Sequence, residues 1–166
     1  MTDALFVLMV GMVGLVLQTT SWAFMMPAAY KPDIILILVL WASFKMTFVI
    51  GVGFAFAVGM AIDLLSGSPT GLFAIIYCLL FVACGFLDSA FRIDVLSGKA
   101  VTVFGATLAA AVIVCFVRWL SGPFELDWSV FWWVLLKSVI AAVTSLLVFP
   151  VVDRLWAGYS RVVGMH

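Results

Sequence analysis

Residues 51–77 read GVGFAFAVGMAIDLLSGSPTGLFAIIY, and this stretch decides how the chain folds. Two long apolar runs flank one short polar segment, SGSPTG. Gly67 fits the position just after a helix, and Ser68 and Pro69 fit the N-cap and first position of the next helix. The stretch therefore predicts a helical hairpin closed by a tight turn.

The composition of the whole chain places this hairpin in a membrane. Of the 166 residues, 67% are apolar and 10% are charged, and the mean hydropathy is +1.34. A soluble domain is about half apolar and about a quarter charged. The net charge is zero, so the basic footprint of a nucleic-acid-binding protein is missing. We therefore predict a polytopic membrane protein.

Turn and charge signals divide the chain into six apolar runs. They predict an all-α transmembrane helical bundle forming a single domain, 1–166. The spans are predicted at about 4–25, 28–44, 47–65, 69–87, 98–120 and 129–152. A single helix over 34–65 would be about 48 Å long, against an apolar layer of about 30 Å, and would leave Lys45 near mid-membrane. Six spans are therefore favoured, and five remain the alternative.

Basic residues give the expected orientation, because cytoplasmic loops are enriched in Lys and Arg. With both termini in the cytoplasm, five basic residues lie on the inner side: Lys45, Arg92, Lys99, Arg154 and Arg161. The outer side then holds two, Lys31 and Arg118. A five-span arrangement with the N-terminus outside gives a comparable bias.

Small residues recur every four positions in the third span, at Gly51, Ala55 and Gly59. On a helix they form one stripe, which lets another helix approach closely in lipid. Two interpretations stay open: internal packing, which is the plainer one, and a groove for the transmembrane helix of a partner.

Two charged residues fall within or beside the apolar layer, where a charge costs at least ~3 kcal/mol. Asp63, one turn before Ser66, can brace the turn by accepting amide hydrogens. Lys137 can extend its long side chain to the membrane surface. The alternative hypothesis is that Lys137 faces the interior and forms an ion pair with Asp63.

Catalytic signals are weak throughout. The one histidine, His166, is the last residue, and no catalytic or phosphate-binding motif is present. We therefore expect that the protein is not an enzyme and that it binds no metal or cofactor.

Two segments together resemble the MreD family of rod shape-determining proteins of the bacterial inner membrane. The first is KPDIILILVLWASF at 31–44, in which Lys31, Pro32 and Asp33 match the family's basic-Pro-Asp element. The second is GMAIDLLSGSPTGLFAIIY at 59–77. In the second, the matching residues are Asp63, Leu64, Leu65, Ser66, Gly67, Ser68, Pro69 and Gly71. These motifs cover about 31–77, and the remaining chain matches in length and layout.

The resemblance implies a non-enzymatic scaffold of the cell-elongation machinery. Its expected partners are an MreC-like protein with one transmembrane helix, MreB filaments, RodA with its transpeptidase, and membrane lipid. The family is also similar in architecture to the substrate-binding components of energy-coupling-factor transporters. The alternative function is therefore a small-molecule-binding transporter subunit, with Asp63, Lys137 and Arg118 lining a cavity.

Overall fold

The structure, a computed structural model, describes residues 2–18, 33–66, 71–91, 95–121 and 128–163. Almost all of these residues are helical, and the break at residues 46–47 is the connection between two helices that they include in full. The helices are α1 (Thr2–Val16), α2 (Ile34–Lys45), α3 (Phe48–Ser66), α4 (Leu72–Phe91), α5 (Leu96–Ser121) and α6 (Trp128–Val163). The prediction of an all-α chain is confirmed for this part of the protein.

Consecutive helices run in opposite directions, which gives the bundle two distinct ends. We call them the Asp63 end, where α3 ends and α4 begins, and the Lys45 end, where α2 ends and α3 begins. The closest packing lies within two hairpins, α3 with α4 and α5 with α6. Helix α2 contacts all five of the other helices.

Helix α2 is the centre of the core. Its residues from Ile35 to Ala42 are all buried, on every side of the helix. A helix that is apolar all round needs such an environment, since it has no polar face to turn to water. Its 12 residues extend only about 18 Å.

The described residues establish fewer complete spans than the six predicted. Among the described residues, four helices (α3 to α6) are long and apolar enough to cross a membrane. The helical parts of α1 and α2 are shorter apolar helices. Six helices are therefore present in the described residues, but six complete spans are not established. The predicted ends of the first two spans, at 19–32, lie outside the described residues.

The break at Lys45 agrees with the sequence argument. Helix α2 ends at Lys45, Met46 is extended, and α3 begins at Phe48. The Met46 amide donates to the Ala42 carbonyl at 2.8 Å and closes the last turn of α2. A continuous helix over 34–65 is thus excluded.

Helix α6 is longer than the predicted span of about 129–152. It has 36 residues and continues through Pro150 to Val163. At 1.5 Å per residue it measures about 54 Å, well beyond an apolar layer of about 30 Å. Its last turns carry Arg154 and Arg161, both exposed, which suits a segment leaving the membrane at the Lys45 end.

Candidate functional site

The Asp63 carboxylate caps the helix that follows it. Asp63 is 1% exposed, and its oxygens accept the amide hydrogens of Gly71 (3.0 Å), Phe73 (3.0 Å) and Ala74 (3.3 Å). The first amides of a helix have no partner within the helix and carry partial positive charge, so a carboxylate placed there is stabilised. The last turn of α3 thereby fixes the start of α4.

The backbone conformation of Gly71 makes the contact with Asp63 possible. Its φ of +98° lies in a region that L-residues with a side chain rarely adopt. That conformation presents the Gly71 amide to Asp63. The predicted turn positions Gly67, Ser68 and Pro69 lie outside the described residues, and Ser66 is the exposed last residue of α3.

A second carboxylate, Asp33, lies at the same end and joins three helices. Asp33 is the N-cap of α2, and its Oδ1 accepts the Leu36 amide at 3.2 Å. Its Oδ2 accepts the hydroxyl of Tyr77, from α4, at 2.9 Å. Gln18, just after α1, donates to Asp33 at 3.4 Å and accepts the Ile35 amide at 3.2 Å.

Tyr77 links the two sequence motifs in space. It is 1% exposed and bonds to Asp33, and it lies one turn after Ala74, whose amide donates to Asp63. The Lys-Pro-Asp element and the Asp63 turn therefore meet at one end of the bundle. We call Gln18, Asp33, Asp63 and Tyr77 the polar cluster.

Removing one hydroxyl from this cluster is expected to weaken the fold. Tyr77→Phe keeps the ring but deletes the donor to Asp33, and a hydrogen bond to a charged group contributes about 1.5–3 kcal/mol. We expect a loss within that range in SDS-induced unfolding followed by circular dichroism. In an Asp33→Ala background the same substitution should cost much less, because the acceptor is already gone. Equal losses in both backgrounds would show that the hydrogen bond does not stabilise the protein.

The small-residue stripe lies inside the protein, between α3 and α4. Gly51, Ala55 and Gly59 are all buried. A Cβ added at Gly59 would overlap the backbone of α4, including the Ala74 nitrogen at 2.7 Å, and one at Gly51 would overlap the Phe81 ring. This geometry is internal packing, so the stripe is not left open as a groove for a partner helix.

The hypothetical Asp63–Lys137 ion pair is not formed. The Asp63 oxygens face the amides of α4, and Lys137 has no ion pair among the described residues. The physical reason is the packing, since α3 lies mainly on α4 whereas α6 lies mainly on α5. Lys137 itself is half-buried on α6.

The Lys45 end has its own polar contact, centred on Asp153 of α6. The indole nitrogen of Trp41 donates to Asp153 Oδ1 at 2.9 Å, and Lys45 Nζ lies 3.9 Å from the same oxygen. Aromatic rings surround this contact: Phe6 lies 5.1 Å from Trp156 and 5.0 Å from Tyr159, between ring centroids. Asp153 therefore ties the end of α6 to the centre of the bundle.

Within this contact the indole bond is expected to matter more than the ion pair. Trp41 is 3% exposed, so Asp153→Ala would leave a buried N–H without an acceptor, at a cost of about 1–3 kcal/mol. The Lys45 and Asp153 side chains are 41% and 38% exposed, and such a pair contributes about 0–1 kcal/mol. SDS unfolding should therefore show a clear loss for Asp153→Ala and little change for Lys45→Met. The reverse order would contradict this interpretation.

The sequence analysis missed Gln18, Tyr77 and Asp153. The available signal for Asp153 was its position at the end of the last apolar run. A charged residue there is costly unless it has a polar partner. Its partner Trp41 is 112 positions away, so periodicity could not identify the pair. Within the described residues, no group of three or more potential metal ligands is present.

Two apolar grooves run along the outside of the bundle. The larger, about 840 Å³ and wide open, follows α4 beside α3 and is lined by residues such as Phe56, Leu79 and Phe86. The smaller, about 290 Å³, lies between α6 and the pair α1 and α2. Neither includes Asp63 or Lys137 among its lining residues, and the side chain of Arg118 lies outside the described part.

Comparison with known proteins gives one clear result. A family model described as "rod shape-determining protein MreD" matches residues 2–156, almost the whole chain. Searches of curated proteins and of solved structures gave no match. The matched region contains both motifs, all six helices up to Trp156, and the polar contacts at both ends of the bundle. This chain belongs to the MreD family of rod shape-determining membrane proteins.

Proposed function

We propose that this protein is a non-enzymatic scaffold of the bacterial cell-elongation complex. In this proposal it binds an MreC-like protein through that protein's single transmembrane helix. It thereby supports lateral peptidoglycan synthesis by RodA and its transpeptidase, alongside MreB filaments. Family membership supports the role in rod shape, the exposed apolar side chains support contact with another transmembrane helix, and the partners named here are those that the family resemblance implies.

One observation carries the proposal: the key polar groups at both ends face inward, whereas the exposed surface between them is apolar. Asp33, Asp63 and Tyr77 bond to each other's helices, and Asp153 bonds to Trp41. Large apolar side chains are exposed on α1 and on α3 to α6. Such a surface suits contact with lipid and with other transmembrane helices. The family match does not favour the alternative, a transporter subunit.

The proposal includes a position in the cell. We place the protein in the inner membrane with both termini in the cytoplasm. The Lys45 end, with Lys45, Lys99, Arg154 and Arg161, then faces the cytoplasm, in keeping with the excess of basic residues on that side of a membrane. The Asp63 end faces the periplasm.

Depletion of the protein tests the role in elongation. Rod-shaped cells should become wider and rounder, and incorporation of a fluorescent D-amino acid along the lateral wall should fall. A wild-type copy supplied in trans is the control and should restore both. Unchanged shape and unchanged lateral incorporation after depletion would contradict the proposal.

A further inference from the structure

Lys137 is a cation within a long apolar helix, and the described part of the protein gives it no partner. It lies nine residues after Trp128, the first residue of α6, and inside the apolar stretch Val130–Arg161. It is half-buried, and no hydrogen bond or ion pair to it is formed by the other residues that the structure describes. A charge at this depth is costly unless it meets an opposite charge or reaches the membrane surface.

The face of α6 that carries Lys137 continues into the smaller groove. Thr144, Val148, Val151 and Leu155 follow Lys137 at spacings of 7, 11, 14 and 18 residues, which repeat on one side of a helix. Val148, Val151 and Leu155 line the groove, together with Leu147 and Val152 of the same helix. Thr144 bonds to the Ile140 carbonyl of its own helix at 2.7 Å, so its hydroxyl donor is already used.

The opposite wall of this groove is apolar and closely packed. It is formed by α1 and α2 and is lined by Val10, Val13 and Leu17 on one side and by Ile34 and Leu38 on the other. A Cβ at Gly14 would meet the Leu38 side chain at 2.6 Å, so the two helices lie close together behind the groove. An occupant that follows the groove along α6 therefore meets apolar side chains first and then, nearer the Asp63 end, the Lys137 ammonium.

This combination separates the smaller groove from the larger one beside α4. Neither groove has a charged residue in its own lining, so the difference between them lies in where each one leads. The face of α6 that lines the smaller groove continues to Lys137, which lies ten residues, or about 15 Å, before Leu147, the first lining residue of α6. A helix that follows this face over the thickness of a membrane also meets the cation, which favours an occupant with a matching negative charge. Complementary charges fix the register of two surfaces and select the partner.

We propose that the groove between α6 and α1–α2, extended by Lys137, is the seat of one transmembrane helix of a partner protein. That helix is apolar along the groove and carries one Asp or Glu side chain at the depth of Lys137. The inference rests on the proposed function in taking this helix to belong to the MreC-like partner.

Site-specific photocrosslinking tests where the partner helix lies. The full-length protein is co-expressed with the full-length MreC-like protein of the same organism, with benzoylphenylalanine at Val151 in the groove or, as the control, at Leu79 in the α4 groove. Both side chains are 55% exposed, so the two probes are equally accessible. We expect a crosslink to the MreC-like transmembrane helix from Val151 and none from Leu79. The reverse pattern, or crosslinks from Val151 to lipid only, would overturn the proposal.

Charge variants test the role of Lys137 in the same complex. Lys137→Met should weaken co-purification of the MreC-like protein by about 3- to 30-fold, the range expected for one polar contact between membrane helices. Lys137→Arg keeps the charge and should retain binding. Unchanged binding by Lys137→Met would overturn the proposal, and matching thermal stability of both variants in detergent excludes misfolding as the cause of a loss. If the folded wild-type protein retained no MreC-like protein at all, the proposed function itself would fail.

Discussion

Asp63→Ala is expected to lower the free energy of unfolding by about 3–5 kcal/mol, the largest effect of a single polar substitution in this chain. The substitution removes the acceptor of three amide hydrogens at the start of α4. Each buried amide left without an acceptor costs about 1–3 kcal/mol, and the favourable charge at the helix N-terminus is lost as well. The expected loss is smaller than the sum of the costs of the three amides, because the first turn of α4 can move and let water bind to them.

The measurement is SDS-induced unfolding of the purified protein in detergent, followed by circular dichroism. Asp88→Ala is the control. Asp88 is a half-exposed carboxylate near the C-terminal end of α4, the helix whose N-terminal end Asp63 caps. Asp88 also takes part in an interaction, but it is less buried than Asp63, so we expect a smaller loss for Asp88→Ala than for Asp63→Ala. If the two variants unfolded at the same SDS concentration, the Asp63 cap would not be what joins α3 to α4.

Gly59→Ala is expected to be the most damaging of the glycine substitutions in α3, at about 2–3 kcal/mol. The added Cβ would fall 2.7 Å from the Ala74 nitrogen and 2.9 Å from the Phe73 carbonyl carbon. Both atoms belong to the α4 backbone, so the only relief is to move the two helices apart, and overpacking of this kind costs about 1–3 kcal/mol. The shift would also lengthen the hydrogen bonds of Asp63, which lies one turn away on α3.

Two other glycines of α3 give the controls for this prediction. A Cβ at Gly53 meets nothing within 4 Å, so Gly53→Ala should be neutral, or slightly stabilising because alanine favours a helix. The loss for Gly51→Ala should be intermediate, because the added Cβ would meet the end of the Phe81 side chain, which can rotate. The same SDS unfolding assay ranks the three variants. A loss for Gly53→Ala as large as that for Gly59→Ala would contradict the packing argument.

Much of the hairpin α3–α4 could be predicted because its signals are local. The apolar runs, the small residues at four-residue spacing and the acidic residue one turn before the break all lie within residues 51–77. Helix periodicity and turn chemistry operate over such distances. The break at Lys45 could be predicted for the same reason, from one charge in a long apolar run.

The contacts between distant segments could not be predicted in this way. The Tyr77–Asp33 and Trp41–Asp153 bonds join residues 44 and 112 positions apart. The predicted ion pair between Asp63 and Lys137 rested only on their similar depth in the membrane. Similar depth does not determine which helices are neighbours. Helix α2 was expected to be a full span, yet its described helix is short and buried on all sides, because other helices cover it rather than lipid.

The arrangement has a consequence for how the protein works. The polar cluster and the Asp153 contact fasten opposite ends of the bundle, so the helices between them form a fixed set of apolar faces. A fixed surface can hold a partner helix at little cost in conformational freedom. We therefore expect Asp63→Ala and Gly59→Ala to disturb cell shape by loosening the surface rather than by removing a reactive group.

The central claim is that the protein acts by holding a partner's transmembrane helix, and one measurement tests it most directly. The MreC-like transmembrane helix is fused to an unrelated soluble reporter, and its co-purification with the full-length protein is quantified in mild detergent. We expect the fused helix to be retained, and a fusion carrying an unrelated single-span helix to be lost. If the reporter were retained only when the periplasmic domain of the MreC-like protein was also present, the claim would be contradicted.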